Sequence, residues 1–443
     1  MRRLLIVVFA ATLAGPAFAA GPDGAAIYKS KCTMCHAADG SGNTPTGKSM
    51  KVRDLRSDDV QRQTDVELTK VIAGGQGKMP AYGKQLSTDD MLALIAHIRT
   101  LKKAAPASTP LRPVNTFSIV ARDPQTGDLG VAVQSHWFAV GQIVPWAEAG
   151  VGAIATQSFV DPSYGKLGLE LMRTGKSAPE AMRGLLASDS SCDVRQVAMI
   201  DTSGNVVTFT GAHDIPSAGG VAGSATASAQ IGCGPNGGGT LTMGRDFSTQ
   251  ANLMSNDRIW PAMADAFSKS TGDLADRLLA ALDAAQAAGG DIRGKQSAAL
   301  IVVKGKSSGK RWLDEIFNLR VDDAPEPLKE LRRLVALQRA YNHMNAGDLA
   351  TEKNDLEGAL REYSTAEQIA ASTPGVPQSR YAEMIYWHAI ALANMKRVDE
   401  AMPLFAKAFQ LEPSYRELTT RLPRANLIAN DPQLISRITS AGR

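Results

Sequence analysis

The chain has 443 residues, 44% of them apolar and 21% charged, with a formal net charge of +4. A chain of this length holds about two to four domains, and its composition excludes bulk disorder. So small a charge gives no basis for a nucleic-acid partner.

Residues 1–20 read as a secretory signal peptide. Arg2 and Arg3 supply the positive start, Leu4 to Leu13 the apolar core, and Ala17-Phe18-Ala19 a small-residue cleavage site. Gly15 and Pro16 cut the apolar run short of the ~20 residues a bilayer span needs, and no later segment is apolar for long enough. The expected mature chain is soluble and exported, without a membrane span, and periplasmic in a Gram-negative host.

Residues 21–103 carry the most specific pattern, Cys32-Thr33-Met34-Cys35-His36. Cys-x-x-Cys-His is the c-type haem attachment motif: two thiols add to the haem vinyl groups, and the next histidine lies under the iron. Alone, a Cys-x-x-Cys also reads as a redox pair or half a zinc site. The secretory signal and a methionine available as second ligand favour haem. Helical segments flank the motif, from Gly24 to Tyr28 and from Ser87 to Ile98, the latter with Ser87 or Thr88 as cap and apolar residues at helical spacing. This stretch resembles the class I cytochrome c family, whose first and last helices cross beside the haem, and Gly24 and Tyr28 match the packing positions of its first helix. The resemblance implies an all-α domain with one covalent haem c on Cys32 and Cys35. His36 is then the proximal ligand and Met79, in Gly77-Lys78-Met79-Pro80-Ala81-Tyr82, the second axial ligand. Met34, Met50 and Met91 are the competing methionines, and His97 reads as a surface or core residue. A His/Met iron has both axial positions filled, which suits electron transfer rather than oxygen chemistry and implies a redox partner protein.

Residues 104–115 are an Ala/Pro-rich linker in which the prolines bar helix.

Residues 116–325 alternate strands and helices. Thr116 to Asp123 and Leu129 to Gln134 read as a hairpin, Val151 to Gln157 as a strand, and Gln196 to Asp201 with Asn205 to Thr210 as a second hairpin. Helices are expected at Gly165 to Thr174, Ala178 to Ser188, Ile259 to Lys269 and Leu274 to Ala288, before a closing strand from Ser297 to Lys304. This order predicts a layered α+β fold. The segments Thr116 to Asp123, Gly130 to Val133, Val140-Gly141, Ala149 to Ala153 and Gln296 to Leu300 together resemble the family catalogued as domain of unknown function 1028, through Asp323. That family is similar to the N-terminal-nucleophile (Ntn) hydrolases, which implies a four-layer αββα sandwich. It also implies a nucleophile whose own α-amine serves as base. The matching residue is Thr116, which lies inside the chain and is available for that chemistry only if the Asn115–Thr116 bond is cut. His136, Asp161, Asp291 and Arg293 are further polar candidates, each equally readable as a turn, surface or ion-pair residue. Gly234 to Gly239 reads as a surface loop without a Walker-type ending. Cys192 and Cys233 either pair in an oxidising compartment or stay separate buried thiols.

Residues 326–443 read as helices. Leu328, Leu331, Leu334 and Leu337 form a stripe over Pro327 to His343, a further helix spans Glu352 to Ala371, and Tyr381 to Met395 with Val398 to Leu411 make a helix pair. Trp387, Ala391, Ala393, Ala401, Phe405, Ala408 and Pro413 resemble the tetratricopeptide (TPR) consensus, which implies stacked TPR-like repeats and a peptide- or partner-binding groove. The functional expectation is an exported c-type cytochrome fused to an Ntn-hydrolase-like domain. The alternatives are a periplasmic amidohydrolase or peptidase with a cytochrome module, and a non-catalytic scaffold.

Overall fold

The computed structural model describes residues 22–101, Val114, 116–233 and 237–443. The expected signal peptide and nearly all of the linker lie outside the described residues. The chain divides into two units, Met1–Pro110 and Leu111–Arg443.

The first unit contains α1 (Gly24–Lys31), α2 (Thr33–His36), α3 (Pro45–Met50), α4 (Asp58–Gln61), α5 (Asp65–Gly74) and α6 (Thr88–Thr100). Asp23 caps α1, accepting from the Ala25 and Ala26 amides. Capping boxes start α5 (Thr64 with Glu67) and α6 (Ser87 with Asp90), satisfying amides that a helix start leaves without partners. Tyr28, Leu68, Ile72, Leu94, Ile95 and Ile98 form the core. α1 crosses α6 at Gly24, where a Cβ would lie 1.9 Å from the Ala93 carbonyl oxygen. Only glycine permits that approach.

The second unit begins with two six-stranded antiparallel sheets. The strands are β1 (Thr116–Arg122), β2 (Leu129–Ser135), β3 (Pro145–Glu148), β4 (Gly152–Ser158), β5 (Arg195–Asp201), β6 (Asn205–Gly211), β7 (Gly219–Ala222), β8 (Ala227–Cys233), β9 (Gly237–Arg245), β10 (Phe247–Ala251), β11 (Ser297–Val303) and β12 (Glu315–Val321). Their orders are β12-β11-β2-β1-β10-β7 and β3-β4-β5-β6-β9-β8. The two sheets face each other through Val120, Val131 and Val133 on one and Ala153, Ala155, Ala198 and Ile200 on the other. α7 (Ser163–Arg173) and α8 (Ala178–Ser188) cover the outer face of the second sheet. α9 (Ile259–Lys269) and α10 (Leu274–Ala287) cover that of the first. The result is a four-layer αββα sandwich. β1 is buried on both faces, since Phe117 and Ile119 point to α9 and α10 while Val120 points between the sheets, so its sequence from Phe117 to Ala121 is apolar except for Ser118.

Part of the segment read as a surface loop is strand: Gly237, Gly238 and Gly239 begin β9, while 234–236 lie outside the described residues. Cys192 and Cys233 are paired as a disulfide, with Cα atoms 6.0 Å apart. After the one-turn α11 (Arg311–Asp314) the C-terminal helices are α12 (Pro327–Glu352), α13 (Leu356–Ser372), α14 (Gln378–Asn394), α15 (Val398–Leu411), α16 (Tyr415–Arg421) and α17 (Pro432–Thr439). Leu328, Leu331 and Val335 of α12 join the core of the sandwich. Tyr386, Phe405 and Phe409 centre the core of the later helices. Among the described residues no helix is long and apolar enough to cross a membrane.

Candidate haem centre

Cys32 ends α1 as its C-cap, and α2 follows at once as a single turn. The Cys35 and His36 amides both donate to the Cys32 carbonyl, at 3.2 and 2.9 Å, so the two thiols and the imidazole share one tight turn. The Thr44 hydroxyl, 2.9 Å from the Met34 carbonyl, ties the next segment to that turn. Gly47 packs so close that a Cβ there would lie 2.3 Å from the Cys35 carbonyl oxygen.

His36 Nδ1 lies 3.3 Å from the carbonyl oxygen of Arg53. Burial pulls the imidazole below its usual pKa, against the opposing effect of that carbonyl. A neutral ring donating from Nδ1 leaves the Nε2 lone pair for a metal. Burial, and then Cys35, push the Cys32 thiol up to about 11. It is protonated at neutral pH and is not a ready thiolate.

These groups open on a cavity of about 430 Å³ lined by Cys32, His36 and Met79, with Leu68, Ile72, Leu94 and Ile98 among its walls. Met79 is carried on a tight turn in which it and Gln76 exchange backbone hydrogen bonds of 3.0 and 3.3 Å. Gly75 precedes that turn at φ +74°, and a Cβ there would meet the Met79 carbonyl at 2.6 Å. Met50, one of the competing methionines, also lines the cavity. Met34 is exposed and Met91 is buried in the core of α6. His97 packs its ring on Tyr28 instead. An apolar cavity lined by an oriented imidazole, a thioether and the free Cys32 thiol, with the free Cys35 on the same turn, fits a haem. The four charged residues of the lining, Lys31, Lys51, Arg53 and Lys78, are all cationic.

The candidates in the sandwich fall into separate groups. Thr116 is fully buried. Its hydroxyl donates to the Val114 carbonyl at 2.9 Å and lies 3.1 Å from the Ser135 hydroxyl. Its own carbonyl accepts from Gln157 Nε2 at 3.0 Å and from the Asn252 amide at 3.2 Å. Gln157 continues into a buried row with Ser118, Gln196 and Asn252 that no motif announced. Nearby, the Ser158 hydroxyl donates to Asp214 at 2.6 Å. Asp291 gathers two of the other candidates, accepting from the His136 amide at 3.2 Å and pairing with Arg293 at 2.7 Å. Asp161 stands apart, its carboxylate accepting from the Ser163 amide at 2.9 Å just before α7.

The first unit therefore has the fold of a c-type cytochrome domain and a cavity whose lining fits a haem, and the second opens with a two-sheet sandwich. Residues 19–98 match the family model described as cytochrome C oxidase, cbb3-type, subunit III. Residues 116–331 match the family of unknown function DUF1028. Cytochrome c6 of Picosynechococcus sp. is 33% identical over 101 residues, covering 21% of this chain and 84% of that protein. Cytochrome c6 of Gloeothece citriformis is 28% identical over 103 residues, covering 23% and 88%. A solved Silicibacter pomeroyi protein of the DUF1028 family shares 28% identity, covering 50% of this chain and 87% of its own, with a TM-score of 0.40. A solved c-type cytochrome shares 26% identity over 18% of this chain and 99% of its own, with a TM-score of 0.18. The chain belongs to the cytochrome c family through its N-terminal domain, which is followed by a DUF1028 domain.

Proposed function

We propose that this chain is an exported, periplasmic electron carrier that holds one haem covalently on Cys32 and Cys35, with His36 and Met79 as axial ligands. The observation that carries the reading is His36, tied through Nδ1 to the Arg53 carbonyl and lining the same apolar cavity as Met79. When bound, the haem supplies the one-electron couple. The chain's own residues do the rest: Arg53 fixes the tautomer and orientation of His36, the Gly75–Gln76 turn presents Met79, and Leu68, Ile72, Leu94 and Ile98 keep water from the cavity. The cationic rim of Lys31, Lys51, Arg53 and Lys78 suits a redox partner with an acidic docking face. Co-expression with a haem maturation system tests the proposal. The mature protein should carry the mass of one haem and lack about the first 20 residues, as Ala-x-Ala cleavage implies. Met79→Leu should abolish the sulfur-to-iron charge-transfer band and lower the potential. If Met79→Leu keeps that band and Met50→Leu loses it, the assignment passes to Met50.

A second reading rests on Thr116, which opens the first strand of an αββα sandwich with its hydroxyl 2.9 Å from the Val114 carbonyl. We infer Ntn-type amidohydrolase chemistry here only for a chain cut before Thr116. Val114 exchanges two backbone hydrogen bonds with Ser158, which holds the uncut chain across that end of the strand. N-terminal sequencing of purified protein decides the matter: a species starting at Thr116 supports it, and a wholly intact chain removes it. The α14–α15 pair, with its TPR-like residues, is a candidate peptide-binding module, and binding of peptide libraries to the intact chain is its test.

A further inference from the structure

The β11–β12 hairpin carries an anomaly of burial. Trp312 is 76% exposed and Leu313 51% exposed, whereas the other four tryptophans are at least partly buried. Exposed indole is costly for a surface with no partner. Lys304, Lys306 and Lys310 are exposed around the pair, and from Lys304 to Glu315 four cations face two carboxylates. Arg311 is paired with Glu315. The other carboxylate, Asp314, is buried beneath the tip and accepts from the Ser307 hydroxyl at 3.0 Å and the Ser308 amide at 2.8 Å. Carboxylates on the adjoining turns are engaged as well: Asp128 accepts from the Gly305 amide, and Glu148 pairs with Arg173. The tip is also pre-ordered. The Lys304 amide donates to the Asp314 carbonyl at 2.9 Å, and the Gly150 amide donates to the Lys304 carbonyl at 3.1 Å.

We propose that this tip is a membrane-docking site, seating Trp312 and Leu313 in the headgroup layer of an anionic phospholipid surface while Lys306 and Lys310 contact lipid phosphates. Charge complementarity and composition select that occupant. Protein interfaces are depleted in lysine, whereas lysine beside tryptophan is the composition of interfacial anchors. A peripheral contact of this kind needs no spanning helix, and it would hold the DUF1028 domain, with the cytochrome tethered to it, at the bilayer face.

The test is co-sedimentation of the full-length holoprotein with vesicles of phosphatidylcholine alone or mixed with phosphatidylglycerol, alongside tryptophan fluorescence. Wild type should sediment only with the anionic vesicles, with a blue-shifted emission, and release as salt rises. Lys306→Ala and Lys310→Ala should each weaken partition about fivefold, from ~1 kcal/mol per cation and 1.4 kcal/mol per tenfold. Trp312→Ala should lose about tenfold and the blue shift, and Trp312→Phe should retain most of the binding. All three positions are exposed, so far-UV circular dichroism should be unchanged. Sedimentation indifferent to these variants would assign lipid binding to another surface, such as the cationic haem rim, and overturn the proposal. Failure to sediment, with tip-dependent binding to soluble polyglutamate, would overturn it in favour of an acidic protein.

Discussion

Gly24→Ala tests the helix crossing that shapes the haem cavity. An alanine Cβ would lie 1.9 Å from the Ala93 oxygen, 2.4 Å from its carbonyl carbon and 3.0 Å from the Leu94 nitrogen. All three are main-chain atoms of α6, so no side chain can swing away. α6 cannot easily retreat either, because Leu94 and Ile95 are 1% exposed and Ile98 5%. Overpacking costs about 1–3 kcal/mol, and a clash with backbone belongs at the upper end. The gain in helix propensity is small at the first position of α1. A net loss of about 2–3 kcal/mol is a large part of the ~4–12 kcal/mol expected for a domain of this size at 0.05–0.15 kcal/mol per residue. At about 4–8 °C per kcal/mol, the melting point should fall by roughly 10–20 °C. Thermal unfolding of the holoprotein followed at the Soret band reports this domain alone. Gly74→Ala is the control: it ends α5 with nothing within 4 Å of a new Cβ, and should leave the transition unchanged or raise it slightly. Equal melting of Gly24→Ala and wild type would refute the crossing at Gly24.

Three further outcomes follow from the geometry. Replacing Cys192 and Cys233 by serine removes a cross-link over a sequence separation of 41, which the chain-entropy model values at about 4 kcal/mol; the urea midpoint of the sandwich should fall accordingly, with the haem spectrum unchanged. Burial pushes the Asp214 carboxyl up to about 7, against hydrogen bonds from the Ser158 side chain and the Gly211 backbone and the field of Arg195. The folded state then keeps a proton that the unfolded chain releases near pH 4, so stability is highest below that value, falls by up to about 4 kcal/mol as pH rises to 7, and is flat above; Asp214→Asn should flatten the slope, as read by denaturant titrations across pH. At the haem rim, Lys51→Glu with Lys78→Glu should slow reduction of ferricyanide by about tenfold at low salt and speed that of a cationic oxidant, a difference that salt should erase.

The candidate haem centre is legible in sequence where its signal is local. Cys32, Cys35 and His36 share one turn, and Met79 is marked by the glycine and proline around it. The partner of His36 was not legible, because a backbone carbonyl at Arg53 has no side-chain signature. Nor was Met50, which reaches the cavity from the end of α3 through tertiary packing alone. In the sandwich, β7, β8 and β9 are rich in Gly and Ala, which have weak strand propensity; β8 and β9 form a local hairpin, but β7 and β9 also pair at long range, as when Thr208 of β6 lies opposite Thr242 of β9. The leucine stripe suggested a helix ending at His343, yet α12 runs on to Glu352. Gly347 sits within it because the Tyr363 ring packs there, 2.9 Å from where a Cβ would stand.

The buried row around Thr116 shows why function in the second unit is harder to read than in the first. Ser118, Gln157, Gln196 and Gln250 lie in strands, where a polar residue ordinarily marks the solvent face. A four-layer sandwich has no solvent face on its central strands, so these side chains must satisfy one another. Ser118 donates to Gln157 at 2.7 Å, Gln157 to Gln196 at 2.7 Å, and Gln250 to the Ala155 carbonyl at 3.1 Å. Each such bond offsets a desolvation cost of about 1–3 kcal/mol, so cutting one member to alanine strands its partners. A network of this kind fixes the position of Thr116 and the register of the sheets together. A loss of folding on mutating it would therefore say nothing of catalysis, and the state of the Asn115–Thr116 bond, not mutagenesis of the row, is the observation that bears on whether Thr116 acts.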